Sequence, residues 1–197
     1  MRHWPWMSLV RRPRSAKPVK KTIQRPADRF SLHAIEIRKL QPAVAAAIHR
    51  WPRYEGEFAP LDYALRENGW LDLFPESATT RQLALYAGCA LVGFSLLTDI
   101  SNNRAEFYVA IHPAQTGRGL GQAATRVVLG YAFDQLHLAA VYLKVRGWHQ
   151  RGLHIYTKAG FLRQGEKSEE IQGRIERFVL MEISAESFRE LSRPTGR

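Results

Sequence analysis

Short apolar runs separated by turn residues make up most of the chain after residue 31. Runs that are continuously apolar, or that alternate with polar residues, predict β-strands over 32–37, 82–86, 91–97, 105–111, 140–145 and 175–183. Apolar residues at helical spacing predict helices over 42–48 and 61–67, from Leu120 onward, and up to a C-terminal cap at Gly160. Strands dominate early and alternate with helices later, so the pattern predicts an α/β fold around a mixed sheet.

A glycine-rich segment joins the strand over 105–111 to the helix that begins near Leu120. Its sequence, residues 116–121, is Thr-Gly-Arg-Gly-Leu-Gly. Glycines let the main chain approach a ligand closely, and a helix N-terminus adds free N–H groups and about half a positive charge. The segment therefore predicts a diphosphate-binding site.

Two common nucleotide-binding motifs fit this segment poorly. A nucleotide-triphosphate P-loop needs a following Gly-Lys-Ser/Thr, which the sequence does not have. Gly119-x-Gly121-x-x-Ala124 forms a weak dinucleotide fingerprint, but that motif needs an acidic residue about 20 positions further on, after the next strand. The next strand ends instead with Lys144 and Arg146. A nicotinamide or flavin cofactor is therefore disfavoured.

A second segment, residues 149–161, carries the motif that completes this interpretation. Its sequence is His-Gln-Arg-Gly-Leu-His-Ile-Tyr-Thr-Lys-Ala-Gly-Phe. The chain here resembles the GNAT superfamily of acetyl-CoA-dependent N-acetyltransferases. Their pyrophosphate loop reads Gln/Arg-x-x-Gly-x-Gly/Ala, and their last catalytic helix reads Asn-x-x-Ala-x-x-Leu-Tyr-x-x-x-Gly-Phe. Gly119 and Gly121 match the loop, and Tyr156, Gly160 and Phe161 match the helix.

The resemblance covers about residues 35–183 and is similar to the branch that includes ribosomal-protein N-terminal and polyamine acetyltransferases. Three positions depart from the motifs. Thr116 stands in place of the usual Gln or Arg, with Gln115 one position early, His149 replaces the helix Asn, and Gly152 replaces the Ala.

The resemblance implies a central, mixed and mostly antiparallel sheet flanked by helices, and direct transfer of acetyl from acetyl-CoA to a primary amine. Tyr156 would protonate the leaving thiolate. A main-chain N–H of Val109 or Ala110 would hold the thioester carbonyl, and the main chain of Ile111 would bind the pantetheine arm. The other predicted acetyl-CoA contacts are Thr116, Gly117, Arg118, Gly119, Leu120, Gly121 and His149.

The reaction also needs a base, because a lysine-like amine has a pKa of about 10.4 and is protonated near neutral pH. Glu106 lies on the strand that leads into the glycine loop, and acids on this strand act as bases in some relatives. Strand alternation places Glu106 on one face with Tyr108 and Ala110. Asp99, His112 and a water relay remain alternatives.

The acceptor is predicted as a class, a primary amine on a small molecule or at a protein N-terminus. Residues 50–77 would cover the substrate side, and they contain aromatic rings and acids that can attract a cationic amine. No metal is expected, because the histidines of the second motif lack metal-binding spacing and the chain has one cysteine.

Positive charge is concentrated near the N-terminus. The chain has a formal net charge of +11, and residues 1–30 contain nine Lys/Arg against one acid, Asp28. We predict a disordered basic extension over 1–30, an acetyltransferase domain over 31–185 and a C-terminal tail over 186–197. The extension could contact RNA or the ribosome, act as a targeting peptide, precede the true start of translation, or have no required role.

The remaining expectations concern cellular context and an alternative class of function. With one cysteine and no long apolar segment, the sequence favours a cytoplasmic protein without an internal disulfide or membrane anchor. A homodimer is one expected arrangement. The alternative function is that of a non-catalytic acyl-CoA-binding or ribosome/RNA-binding module that uses the basic extension.

Overall fold

The structure is a computed structural model that describes residues 35–171 and 173–193. The predicted basic extension over 1–30 lies outside the described residues, as does the first part of the strand predicted over 32–37. The described chain forms one seven-stranded sheet with helices on both faces.

The sheet is mixed and mostly antiparallel, as predicted. Its strands are β1 (Ile35–Lys39), β2 (Arg81–Ala87), β3 (Ala90–Ser101), β4 (Arg104–Ile111), β5 (Ala140–Arg146), β6 (Leu162–Ile171) and β7 (Arg174–Ser184). Their order across the sheet is β1-β2-β3-β4-β5-β7-β6. Neighbouring strands run antiparallel except β4 and β5, which are parallel.

Helices cover both faces of the sheet and bury two apolar layers. They are α1 (Pro42–His49), α2 (Trp70–Leu73), α3 (Leu120–Gly130), α4 (Gln150–Ala159) and α5 (Ala185–Ser192). The layer under α3, α4 and α5 includes the buried Phe133 and Phe161. The layer under α1 and α2 includes the buried Ile48 and Phe94. Among the described residues, no helix is long and apolar enough to cross a lipid bilayer.

The segment predicted as a helix over 61–67 differs in the structure. It forms a 3₁₀ helix over Gly56–Leu65, with Pro60 inside it. Proline lacks the N–H that a continuous α-helix needs, so the tighter and irregular form replaces it. Arg66 then fixes the segment, because its guanidinium bonds to Asp62 and to main-chain carbonyl groups that precede the segment.

The predicted left-handed cap of α4 is present at Gly160, where φ is 101°. A Cβ at this position would lie 2.4 Å from Leu191 Cδ1, so the glycine also lets α5 pack against the end of α4. The β6–β7 hairpin agrees with the turn predicted at 172–173. Gly173 there has a φ of 75°, and Gln172 lies outside the described residues.

The strands β4 and β5 are hydrogen-bonded neighbours over a short distance. Their pairing ends at Glu106 and Tyr142, after three residue pairs. Beyond this point β4 continues to Ile111 and β5 continues to Arg146, but the two strands no longer pair with each other. We call the resulting opening the β4–β5 gap. Main-chain groups near the end of β4 that point toward β5 therefore border this gap, where a ligand can reach them.

Candidate active site

Two clefts meet at the β4–β5 gap. The helix-side cleft is lined by Tyr54, Phe58, Ala110, Ile111, Thr116, Gly121, Arg151, Gly152 and Ile155. The aromatic cleft is lined by Tyr63, Trp70, Leu73, Phe74, Tyr108, Lys144, Val145, Arg146, Glu169, Ile171 and Phe178. Leu61, Val109, His149 and Tyr156 line both. The two clefts therefore share a wall beside the gap, where ligands bound in each of them can meet.

The glycine loop lies at the N-terminus of α3, as predicted. Gly117 and Gly119 have left-handed φ angles of 85° and 80°, which favour glycine. Ala123 N donates to Gly119 O at 3.1 Å, so the preceding N–H groups of Leu120 and Gly121 have no acceptor within the helix. Together with the positive end of the helix dipole, these free N–H groups fit a diphosphate.

The side chains of the loop contribute less to this site than its main chain. Thr116 and Arg118 are exposed, and Thr116 Oγ1 already donates to Pro113 O at 3.0 Å. Gln115 is half-buried, and its Oε1 has no hydrogen-bond partner among the described residues. The contacts predicted for the Thr116 and Arg118 side chains stay predictions.

The pairing of β4 with β3 determines where the main-chain groups of β4 point. His112 N donates to Val92 O of β3 at 2.8 Å. Main-chain groups alternate sides along an antiparallel strand, so those of Ala110 face β3, whereas those of Val109 and Ile111 face the gap. Of the two N–H groups predicted to hold a thioester carbonyl, that of Val109 therefore has the suitable direction.

Tyr54 already bonds to the main-chain group predicted to bind pantetheine. Its hydroxyl donates to Ile111 O at 2.5 Å, and burial raises the pKa of Tyr54 to about 12. Its neighbour in the cleft, Phe58, has its ring centroid 5.7 Å from that of His149. A pantetheine amide that bonds to Ile111 O must therefore share this carbonyl with Tyr54 or displace it. The sequence analysis did not single out Tyr54, because no local motif marks it.

Tyr156 lies where the two clefts meet. It belongs to α4, and its ring centroid is 6.2 Å from that of Phe107 on β4 and 5.7 Å from that of Phe161. These contacts hold the ring against the strand that borders the gap. Burial raises the pKa of the Tyr156 hydroxyl, so the group is protonated at neutral pH. A protonated hydroxyl in this position can donate a proton to a leaving group.

Glu106 is a shielded carboxylate beside the aromatic cleft. Its side chain is 14% exposed, and its Oε1 has no hydrogen-bond partner among the described residues. Burial raises the pKa of Glu106, whereas the Lys144 ammonium, 4.0 Å from Oε1, lowers it. A carboxylate with a raised pKa is a stronger base than an exposed one. The surroundings of Glu106 therefore suit the role of a base near neutral pH.

The alternative bases lie elsewhere. Asp99 Oδ2 accepts a hydrogen bond of 2.8 Å from the Tyr142 hydroxyl, and both residues border a separate surface pocket. His112 Nδ1 accepts a hydrogen bond of 3.1 Å from Ala114 N, so its ring caps the turn before the glycine loop. Neither residue lines the two clefts. Glu106 does not line the clefts either, but its Oε1 lies 4.0 Å from Nζ of Lys144, which lines the aromatic cleft, so its carboxylate is a candidate base next to that cleft.

The two departures from the helix motif, His149 and Gly152, belong together. A Cβ at Gly152 would lie 2.4 Å from His149 Cδ2, so the larger ring at position 149 requires glycine at position 152. Burial lowers the pKa of His149, and the charge of Arg151 lowers it further. His149 is therefore a neutral ring that lines both clefts at neutral pH.

The sequence analysis missed the charged residues of the aromatic cleft. It expected acids from 50–77 to attract the amine, but Asp62 in that range is already in an ion pair of 2.5 Å. The carboxylate that lines the cleft is instead that of Glu169 on β6, and Glu106, which the sequence analysis named as a base, lies beside the cleft. Lys144 on β5 lies between them, with Nζ 3.1 Å from Glu169 Oε1. These residues are far apart in sequence, so no local pattern indicates their proximity.

The fold and the site define the class of protein. A sheet opened between two parallel strands, a glycine loop at a helix N-terminus and a tyrosine at the opening occur together in this chain. Residues 29–162 match the acetyltransferase (GNAT) domain family, and the chain belongs to this family. It is an acetyl-CoA-dependent N-acetyltransferase, as predicted, so the non-catalytic alternative is set aside.

Spermidine N-acetyltransferases are similar to this chain. The spermidine N(1)-acetyltransferase of Escherichia coli (strain K12) is 27% identical over 148 residues, which are 71% of this chain and 79% of that protein. A dodecameric spermidine N-acetyltransferase from Vibrio cholerae is 24% identical, with a TM-score of 0.63 over 81% of this chain and 98% of that one. The Vibrio cholerae enzyme in complex with CoA and spermine is 23% identical, with a TM-score of 0.63 over 79% and 98%. These similarities confirm the GNAT fold and agree with the predicted branch, which includes ribosomal-protein N-terminal and polyamine acetyltransferases.

We expect Gly119→Glu to abolish acetyl-CoA binding, because the new side chain and its negative charge would fill the diphosphate site. Gly88→Glu is the matched control, since Gly88 also has a positive φ, 60°, but lies in the β2–β3 turn with no atom near its Cβ position. Each variant should lose about 1–3 kcal/mol of stability from backbone strain. Acetyl-CoA should raise the melting temperature of Gly88→Glu but not of Gly119→Glu. An equal rise in both variants would exclude the loop as the diphosphate site.

The role of Glu106 predicts the pH dependence of activity. A base works when ionised, so kcat/KM should fall as the pH decreases through the pKa of Glu106, which burial raises above the ordinary value of about 4.3. Glu106→Gln should remove this acidic limb and lower kcat/KM by about 10²- to 10⁴-fold. Asp99→Asn, the control, should keep both the rate and the limb. Loss of the limb in Asp99→Asn and its retention in Glu106→Gln would assign the base to Asp99.

Proposed function

We propose that the chain transfers acetyl from acetyl-CoA to a primary amine of a linear polyamine such as spermidine. The observation that carries this proposal is the aromatic cleft, which is lined by aromatic rings, by Glu169 of β6 and by Tyr156, with Glu106 of β4 next to its Lys144. Aromatic faces and carboxylates both attract alkylammonium groups. The names of the similar enzymes from Escherichia coli and Vibrio cholerae support the same substrate class.

Acetyl-CoA binds in the helix-side cleft and supplies the activated acetyl group as a thioester. The main-chain N–H groups of residues 117–121 hold its diphosphate. The pantetheine arm lies along the open side of β4, where the main-chain groups of Val109 and the N–H of Ile111 face the gap and pair with it. Tyr54 shares or releases Ile111 O when the pantetheine amide reaches that carbonyl. His149 borders the thioester end of the cleft as a neutral ring.

Three groups of the chain act at the gap. Glu106 takes the proton of the acceptor ammonium through a chain of water molecules, because three residues of strand, about 10 Å, separate its Cα from that of Val109. The N–H of Val109 donates to the carbonyl oxygen as negative charge develops there. Tyr156 gives its proton to the sulfur while the new C–N bond forms and the C–S bond breaks. The acceptor ammonium loses one proton to Glu106 before attack. Its nitrogen loses a second proton as the amide forms, and this proton restores Tyr156, whose own proton has passed to the thiolate.

Two further expectations belong to this proposal. We propose that copies of the chain associate, since a similar enzyme from Vibrio cholerae is dodecameric. We also propose a reducing compartment such as the cytoplasm, because Cys89 is exposed and free. The contact of residues 1–30 with RNA or the ribosome stays a prediction, since those residues lie outside the described part of the chain.

A panel of amines, followed by the release of free CoA, tests the proposed function. Spermidine should have a kcat/KM about tenfold or more above that of propylamine or of a peptide N-terminus, because a second ammonium uses the rings and carboxylates of the aromatic cleft. Tyr156→Phe should lower kcat for spermidine by about 10- to 1,000-fold with little change in acetyl-CoA affinity. Tyr142→Phe is the control, because the Tyr142 hydroxyl bonds to Asp99 away from both clefts.

Two results would contradict this account. Equal kcat/KM values for spermidine and propylamine would exclude a polyamine-specific site. An undiminished kcat in Tyr156→Phe would remove this residue from proton transfer and leave its ring as a packing residue beside Phe107 and Phe161.

A further inference from the structure

The side chain of Lys144 places an ammonium group inside the aromatic cleft. Its Nζ lies 3.1 Å from Glu169 Oε1, 4.0 Å from Glu106 Oε1 and 5.9 Å from the centroid of the Phe178 ring. Two carboxylates and an aromatic face are the surroundings expected of a bound alkylammonium group. The lysine side chain is itself a four-carbon alkylammonium, so it has the same chemistry as one end of a polyamine.

The interaction of Lys144 with this subsite is incomplete. Its Nζ is too far from Glu106 Oε1 for a hydrogen bond, and this buried oxygen has no other partner among the described residues. A buried acceptor without a donor is unfavourable, so a second ammonium placed closer to Glu106 would be bound in preference. The lysine side chain is 31% exposed on a flexible stem, so it can move into solvent.

Glu169 would remain balanced if Lys144 left the subsite. The Nζ of Lys167 lies 3.0 Å from the same Glu169 Oε1 that Lys144 contacts. Displacement of Lys144 therefore leaves Glu169 with one of its two cations and takes from Glu106 the ammonium nearest to it, so the two carboxylates together can accept one new cation. An arriving ammonium group would supply that cation.

Arg146, another cation that lines the aromatic cleft, is held far more firmly. Its side chain is 8% exposed, and its Nη1 lies 2.9 Å from Glu176 Oε1. Its guanidinium also lies within 6 Å of the rings of Tyr63, Trp148 and Phe178. These contacts make Arg146 part of the cleft wall, so it does not exchange with a ligand.

We propose that Lys144 determines acceptor specificity as an exchangeable occupant of the ammonium subsite formed by Glu106, Glu169 and Phe178. The second ammonium group of the acceptor takes the place of Lys144 there. Three residues of β4, about 10 Å, separate Glu106 from Val109 at the gap, so an acceptor needs a chain of several methylene groups to reach both positions. A monoamine leaves Lys144 in place. This inference rests on the proposed function and explains how the same site selects a polyamine.

The ratio of kcat/KM for spermidine to kcat/KM for propylamine tests the inference. Both acceptors use the same acetyl-CoA site, and Lys144 also lowers the pKa of Glu106, so the ratio is measured for every variant at a pH above its acidic limb, where Glu106 is ionised with either acceptor. Lys144→Met should raise the ratio about three- to tenfold, because it removes the competing cation. Lys144→Arg, which keeps the cation, should leave the ratio at or below the wild-type value.

The carboxylate of the subsite provides the reciprocal test. Glu169→Gln should lower the ratio about three- to tenfold, because the acceptor loses an ionic partner. Glu170→Gln is the matched control, since Glu170 is the next residue of β6 and is exposed. This control variant should keep the wild-type ratio. Melting temperatures of all the variants should show that they are folded, and Lys144→Gln serves in place of Lys144→Met if the latter is not.

The outcomes separate this inference from the proposed function. A wild-type enzyme without preference for spermidine over propylamine overturns the proposed function and the inference with it. A wild-type preference that is unchanged in both the uncharged Lys144 variant and Glu169→Gln overturns the inference alone. A higher ratio in the uncharged Lys144 variant and a lower ratio in Glu169→Gln, with no rise in Lys144→Arg and no change in Glu170→Gln, support it.

Discussion

The separation of β4 from β5 is the constraint on which the rest of the site depends. The two strands pair through Glu106 and Tyr142 and then diverge. The main-chain groups of Val109 and Ile111 thus face a gap instead of a neighbouring strand. Unpaired main-chain groups inside a sheet are unfavourable, so a ligand that bonds to them is strongly favoured there. The glycine loop follows β4 and Tyr156 follows β5, so the chain order brings both to this gap.

The acceptor side of the gap is nearly balanced in charge, rather than strongly acidic. Glu106 and Glu169 share the cation of Lys144, while Arg146 is neutralised by Glu176. Burial and the nearby cation act in opposite directions on the pKa of Glu106, so the carboxylate can be ionised and still act as a base. A cationic acceptor therefore exchanges with a charge that the protein already carries, and selectivity depends on the difference between two bound cations.

Features determined by local sequence were predicted well, and features that need distant packing were not. The left-handed Gly119 and Gly160 mark the helix ends that the motifs predicted, because backbone conformation there depends on the residue itself. Alternation also placed Glu106 on the correct strand face, but not beside a particular cleft, because that depends on the packing of α1, α2 and β6. The contact of Lys144 with Glu169 joins separate strands, so no spacing in the sequence could reveal it.

Amide-resolved hydrogen exchange with and without acetyl-CoA tests the central claim most directly. If the open side of β4 binds the pantetheine arm, acetyl-CoA should slow exchange at the N–H groups of Val109 and Ile111, which face the gap. The N–H groups of Tyr108 and Ala110 already face β3, so their exchange should change much less. Slowed exchange at the glycine loop with no change at Val109 and Ile111 would show that the thioester end binds elsewhere, and would contradict the account.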